Sequence, residues 1–444
     1  MSNQTGSGRA VVLGASITGL FAARALSDFF KSVVVLDADM FGAGTTPRKA
    51  VPQGNHIHAI LPPAYQALKE LMPEVIEKLL AGGAHLFDGG RDIKWTHLGH
   101  WLVQGETGRT FIGATRPFFE SHLRQHVESL DNVEILSGHR FLEWKIDSSH
   151  ETVLGVLAQG PREQVDLDSE LTVDARGSGS KLLKELITLG FDEPFTEVVE
   201  VDLTYTSCLF QAPDFSPDWN LLLMDPDAPR KWTGGVIERV EADRWIVTQW
   251  GYFGARAPID DVGFKDFAES LDEPDIADFL RLAEPVSECH QYRIPKCYLH
   301  RFDQLKRFPD RLVAMGDAVC KLNPIYGQGM TKAAKEGVFL WESLSKFREN
   351  GSDLSGFSGR FRKEMGNVGA NWAWQLTSGS DLAYPQTKGK RPFNLSFINW
   401  YVGRLFARAE TRLEVRKALM DAMALVNPPE SIMQPHLILR ALGL

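Results

Sequence analysis

The sequence predicts an α/β fold: a parallel-sheet domain, an antiparallel sheet inserted into it, and a helical region at the C-terminus. Three observations predict it. The chain opens with strand, turn, helix and strand inside its first forty residues. From about Val198 to Gly254 strand-like runs follow one another with no helix between them, the habit of an antiparallel sheet. After about Asp353 the apolar spacing is mostly helical.

The elements follow in order. "RAVVLG", an Ala- and Leu-rich stretch to about Phe30 and "SVVVLDAD" make a βαβ unit of Rossmann type. Helical periodicity returns in Pro62–Gly83 and Arg116–Leu130, and "VEILSG" (Val133–Gly138) reads as another strand. "VEVDLTYTSCLFQ", "NLLLM", "TGGVIERV" and "RWIVTQWGYFG" form the inserted sheet, after which "RLVAMGDA" (Arg311–Ala318) returns to a buried strand. These transitions place the first domain at 1–90, 113–195 and 291–353. The inserted domain falls at 91–112 and 196–290, and the helical region at 354–444. With 444 residues, 43% hydrophobic and 24% charged, the chain exceeds what one core usually supports, so several domains are expected.

Composition excludes some partners. A net charge of -9 offers no basic excess for a nucleic-acid backbone. The first apolar run is too short for a secretory signal, and no apolar stretch has the length of a transmembrane span. Cys208, Cys289, Cys297 and Cys320 are too sparse for a disulfide framework, so free thiols and a cytoplasmic location are expected. Cys289, His290, Cys297 and His300, like His56 and His58, offer metal-type donors but lack close-spaced ligand pairs, so no metal site is expected. In "FINWYVGRLFARAETRLEVRKALMDAMALV" the Arg and Glu residues favour a packed helix with a solvated face over lipid contact.

The first turn reads "GASITG". Gly14 suits the tight turn and Gly19 close helix packing, while Ser16 replaces the usual middle glycine with another small residue. Ser16, Ile17 and Thr18 open the helix, whose unpaired N–H groups attract a pyrophosphate. Asp37 ends the second strand, followed by Ala38, where an acid accepts hydrogen bonds from an adenosine ribose. Turn, context and acid together predict dinucleotide binding.

A second constellation, "GDAVCKLNPIYGQGM" (Gly316–Met330), identifies the dinucleotide. Asp317 sits at a strand end, and Pro324 and Gly327, Gln328, Gly329 and Met330 form a narrow backbone loop opening a helix. Gly-Asp-Ala followed by Pro-x-x-Gly-x-Gly-Met resembles the FAD-dependent monooxygenases of the aromatic-hydroxylase and squalene-epoxidase type. "RKAVPQGNHIHAIL", "TRPFFESHLRQ", "DARGSGSKLLKELITLG" and "SGSDLAYP" are similar to bacterial flavin epoxidases of polyether-antibiotic biosynthesis. The likeness spans about residues 9–385.

The resemblance implies a Rossmann-type FAD-binding domain with an inserted substrate sheet. It implies Asp317 on the ribityl chain, Pro324 and Gly327–Met330 beside the isoalloxazine, Arg48 and Arg116 on FAD, and backbone near Phe141 at the adenine. It also implies insertion of one oxygen atom from O2, by epoxidation or hydroxylation, through a peroxide on flavin carbon 4a. The family usually carries an Asp-Gly pair where this chain has Asp174-Ala175-Arg176-Gly177, which sets direct NAD(P)H binding against a separate flavin reductase as electron donor.

Oxygen transfer to an alkene asks little acid or base help, so sparse catalytic side chains fit an epoxidase. Tyr326, inside the ring-facing loop, is the candidate for orienting substrate or peroxide, against the plainer role of a pocket wall. His56, Tyr205, Phe210, Trp250 and Tyr252 are the candidate lining for an apolar or aromatic natural-product intermediate. A flavin halogenase would carry Trp-x-Trp-x-Ile-Pro, and no such segment occurs. An isoprenoid-type double-bond reductase and a prenyl-binding escort protein are the alternatives.

Overall fold

The computed structural model describes residues 8–443 apart from 43, 45, 46, 49, 50, 213, 350 and 352, so Lys49 and Ala50 of the segment after the second strand lie outside the described residues. The opening unit forms as its pattern dictates. Strands Arg9–Leu13 and Ser32–Asp37 run parallel in register from Arg9↔Ser32 to Leu13↔Leu36, joined by helix Ile17–Ser27. They are central in a five-stranded parallel sheet, in the order Leu312–Ala314, Leu171–Asp174, Arg9–Leu13, Ser32–Asp37, Val133–Ser137. Both faces are covered, which explains the unbroken apolar runs. Val11, Leu13, Val34 and Leu36 pack on a small antiparallel sheet carrying Val156, Ala158 and Leu167. Val12, Val33 and Val35 join the main core with Leu20 and Phe21 of the first helix.

The antiparallel run builds a larger, nine-stranded sheet around Thr196–Gln211, Arg244–Tyr252, Thr233–Val240 and Leu221–Met224. Ile93–His97 extends it in parallel with Leu221–Met224, whereas Thr110–Gly113 pairs outside it with His85–Asp88. Placement differs from expectation at His290–His300. From Gln291 on, that segment was assigned from sequence to the last part of the first domain, but it is a strand of this sheet antiparallel to Thr196–Gln211. The reason is that the long partner strand offers unpaired backbone along its whole edge, and buried Ile294, Cys297 and Leu299 give the added strand an apolar side.

Strand alternation gives the large sheet two unlike faces. One joins the main core through Leu203, Tyr205, Val236, Trp250 and Tyr252. The other carries Phe210, Trp245, Val247 and Ile237 beneath helices Asp261–Glu269 and Asp275–Leu282. The cysteine expectation is corrected here: Cys208 and Cys289 form a disulfide across 81 residues, and only Cys297 and Cys320 are free, both buried. Cys208 points to the second face, where the chain entering the His290–His300 strand passes over it. Sparse cysteines say nothing about such a meeting.

The C-terminal region is helical, with Phe357–Met365, Ala370–Asp381, Leu395–Ala409, Leu413–Met423 and Pro435–Leu442. Among the described residues no helix is long and apolar enough to cross a membrane.

Candidate functional site

The turn after the first strand is set by steric demand. Gly14 has φ +102°, and a Cβ there would lie 2.5 Å from the Ala175 carbonyl oxygen; a Cβ on Gly19 would overlap the Gly14 carbonyl. Ser16 caps the helix in extended conformation, but its hydroxyl is not bonded to the helix N–H groups. It donates to Glu120 Oε2 (3.2 Å) and accepts from Arg116 Nη2 (2.9 Å). The N–H groups of the first helical turn are thereby left for an anion.

Asp37 closes the other side of the turn. Its Oδ2 accepts from Ala15 N (2.7 Å) and its Oδ1 from Asp39 N (2.9 Å) and Arg48 Nη2 (2.6 Å). Ala38 beside it is exposed. His139 N donates to Asp37 O and Gly138 N to Asp39 O, both at 2.8 Å, which brings the strand containing Phe141 to the rim of this acid. Arg176 stacks 4.3 Å over the Phe141 ring while paired with Asp174 and Glu185.

Arg48 and Arg116 meet at a residue that the sequence reading did not single out. Glu120, 3% exposed, pairs with Arg48 Nη1 at 2.8 Å and lies 3.5 Å from Arg116 Nε and 3.8 Å from Arg124 Nη1. Arg116 Nε and Arg124 Nη1 are buried without a hydrogen-bond acceptor. Both line a cleft with Arg48, Val51, Gly54, Pro117 and Glu120. Three guanidinium groups against Glu120 and Asp37, beside a helix N-terminus, with donors left over, fit a diphosphate. The signal for Glu120 and Arg124 was their i, i+4 spacing after Arg116 inside "RPFFESHLR".

Asp317 lies on the same side. Gly316 has φ +66°, and a Cβ there would overlap Thr18 Oγ1, so the Gly-Asp turn is packed directly on the first helix. Gly316 N donates to Glu336 Oε2 (2.6 Å). Lys332, fully buried, holds its Nζ 3.8 Å from Asp317 Oδ1 and 3.7 Å from Glu336 Oε1. Burial opposes its charge, but Glu336 and then Asp317 outweigh burial and raise its pKa above the ordinary lysine value. Lys332 and Glu336 were not anticipated; they follow the loop one helical turn apart.

In the loop itself, Pro324–Tyr326 is a short turn capped by Asn323, and Gly327 is left-handed at φ +65°. Helix Gln328–Glu349 follows, with Gly329 exposed and Met330 buried. Gln328 turns its side chain away, donating to Met423 O (2.7 Å). Under the loop lies Asp381, 1% exposed. Its Oδ1 accepts from Tyr252 Oη (3.0 Å), Asn323 Nδ2 (2.8 Å) and Tyr326 Oη (3.2 Å), and burial pushes its pKa up to about 7. Tyr326, expected to orient substrate, therefore has its hydroxyl committed to a buried carboxyl. Asp381 stood inside the quoted "SGSDLAYP" without being singled out.

Of the expected pocket residues, His56, Tyr205, Trp250 and Tyr252 gather on the inner face of the large sheet. His56 Nδ1 bonds Ser207 Oγ (2.7 Å), its ring meets Tyr205 at 4.3 Å, and burial, then His290, lowers its pKa to about 3. It is a neutral hydrogen-bonding group near neutral pH. His58 donates from Nδ1 to His56 O (2.9 Å) and accepts from Arg116 Nη1 (3.2 Å), so the histidine segment is bonded to the arginine that reaches Ser16. Phe210 is a correction: it faces the opposite side, against Phe264 (6.1 Å) and Phe279 (6.2 Å), because Tyr205 and Phe210 are an odd number of residues apart on one strand.

No protein-family model matches the chain. Protein Rv3254 of Mycobacterium tuberculosis (strain ATCC 25618 / H37Rv) is 31% identical over 345 residues, covering 76% of this chain and 72% of its own. The flavin-dependent brominase Bmp2 superposes with a TM-score of 0.65 at 15% identity, covering 94% of both chains. The p-nitrophenol 4-monooxygenase PnpA from Pseudomonas putida DLL-E4 gives a TM-score of 0.64 at 16% identity, over 96% of this chain and 99% of its own. At these identities the likeness to the solved structures is one of fold.

Proposed function

This chain belongs to the family of Protein Rv3254 and has the fold of FAD-dependent monooxygenases, and on that premise we propose that it is itself an FAD-dependent monooxygenase. The reaction is insertion of one oxygen atom from O2 into an apolar or aromatic small molecule, a natural-product intermediate, by epoxidation or hydroxylation. In this reading the five-stranded parallel sheet and the helix starts packed on it hold the cofactor, and the nine-stranded sheet, with His290–His300 as one of its strands, shapes the substrate side.

The observation that carries it is the contact of Gly316 with Thr18. The pyrophosphate-type turn and the Gly-Asp turn, some 300 residues apart in sequence, form one continuous surface, as a long dinucleotide requires.

Gly14, Ser16, Ile17, Thr18 and Gly19 would present the helix start to the pyrophosphate, with Arg48 and Arg116 beside it. Asp37 and Ala38 would border the adenosine ribose and the strand at Phe141 the adenine. Asp317 would take the ribityl chain, and Pro324, Gly327, Gln328, Gly329 and Met330 the ring. Bound and reduced, FAD supplies the activation of O2. The chain's own contribution is to orient and to exclude water. Tyr205, Trp250, Tyr252 and His56 supply an apolar wall, and Asp381 fixes the ring-facing loop through Asn323 and Tyr326.

The electron donor in this reading is NAD(P)H or a separate flavin reductase. The test is purification followed by flavin analysis and oxygen uptake with reductant and candidate alkenes or phenols. A yellow protein consuming O2 in step with substrate is expected. Saturation of a double bond without O2 would assign the double-bond reductase, and a colourless protein that cannot be reconstituted with FAD would remove the flavoenzyme reading.

A further inference from the structure

Helix Leu395–Ala409 buries Leu395, Tyr401, Leu405, Phe406 and Ala409. Its solvated face was expected to be charged, yet over the first two turns it is aromatic. Four exposed large apolar side chains fall within eight residues: Phe393 (102% exposed), Phe397 (55%), Ile398 (37%) and Trp400 (50%). Phe397 and Trp400, one turn apart, have ring centroids at 5.7 Å. A monomeric soluble surface rarely leaves such a cluster uncovered.

The charge along this stretch of the chain is one-sided. Residues 382–409 include Lys388, Lys390, Arg391, Arg404 and Arg408 and no Asp or Glu, in a chain of net charge -9. Lys388, Lys390 and Arg391 are exposed on the loop that leads into the helix. Lys388 Nζ pairs with Glu200 (3.0 Å) where both side chains are solvent-exposed, and Arg391 donates to the Tyr384 and Thr387 carbonyls, which fixes the loop beside the aromatic cluster.

Aromatic side chains with an apolar body favour the headgroup boundary of a bilayer, and Lys and Arg beside them favour anionic headgroups. A second copy of the chain fits less well, because two such faces would set cations against cations. We propose that the surface from Lys388 to Arg404 docks this protein on an anionic lipid surface. Phe393, Phe397, Ile398 and Trp400 enter the boundary layer, and Lys388, Lys390 and Arg391 lie at the lipid phosphates. The helix rests on the bilayer and does not cross it.

The test is co-sedimentation of the full chain with phosphatidylcholine vesicles, with and without phosphatidylglycerol, alongside light scattering to read the oligomeric state. Binding only to the anionic vesicles, weakened by salt, is expected. F397S/W400S should lower the partition coefficient about tenfold or more at unchanged melting temperature, since both side chains are exposed. K388Q/K390Q should weaken partition and flatten its salt dependence. Equal binding to neutral vesicles, no binding at all, or unchanged binding by F397S/W400S would overturn the proposal. A dimer that F397S/W400S converts to monomer, without vesicle binding, would assign the face to a second copy.

Discussion

Replacing Asp381 by Asn removes a titration while keeping the side-chain shape. The carboxyl is buried, accepts from Tyr252, Asn323 and Tyr326, and has a folded pKa of about 7, above the ordinary aspartate value. The sign follows from linkage. A carboxyl whose pKa is raised by folding contributes stability that is full below about pH 4 and is lost as pH rises through 7. Between pH 5 and 7 that loss approaches 1.4 kcal/mol per unit and halves as the group reaches its folded pKa, roughly 2.3 kcal/mol in all. Unfolding entropy of about 2.1 cal/mol/K per residue gives, for 444 residues, about 0.9 kcal/mol/K, so the loss amounts to about 3 °C.

The carboxamide keeps an acceptor oxygen for the donors and never ionises. Scanning calorimetry of wild type and Asp381→Asn at pH 5, 6 and 7 should therefore give melting curves that differ in slope. Relative to wild type, the variant should gain about 3 °C between pH 5 and pH 7. Every other titrating group cancels in the difference. Parallel curves for the two proteins would refute a buried, neutral Asp381 under the loop.

Four further outcomes are expected. Ser16→Gly should retain FAD, whereas Ser16→Val, which crowds the turn and removes the hydroxyl from Arg116 and Glu120, should lose it on dialysis, read by flavin absorbance. Asp317→Ala should weaken FAD retention roughly tenfold, the scale of one charge-assisted hydrogen bond, measured by flavin fluorescence on dilution. Phe210→Ala should cost about 3–5 kcal/mol of stability as a core cavity but leave substrate KM unchanged, because the ring faces Phe264 and Phe279. Alkylation of denatured protein should modify two thiols without reductant and all four after reduction, reporting the Cys208–Cys289 bond by mass spectrometry.

The sequence by itself determined what is written locally. The βαβ opening, the turn from Gly14 to Gly19, Asp37 and the Gly316–Met330 segment are each contiguous, and their backbone demands select residue types directly. Strand alternation was also legible, but the pocket expectation grouped Tyr205 with Phe210, which stand five residues apart on one strand and so face opposite sides. Which of the two faced the first domain depended on what packs on each side, and only the tertiary structure decided it. The same holds for Glu120 between three arginines, for Lys332 against Asp317 and Glu336, and for Asp381 beneath Asn323, Tyr252 and Tyr326. Arg48 on Glu120, Asp317 on Lys332 and the three donors on Asp381 come from other segments of the chain, and the burial that raises the Asp381 pKa has no signature in that residue's neighbours along the chain.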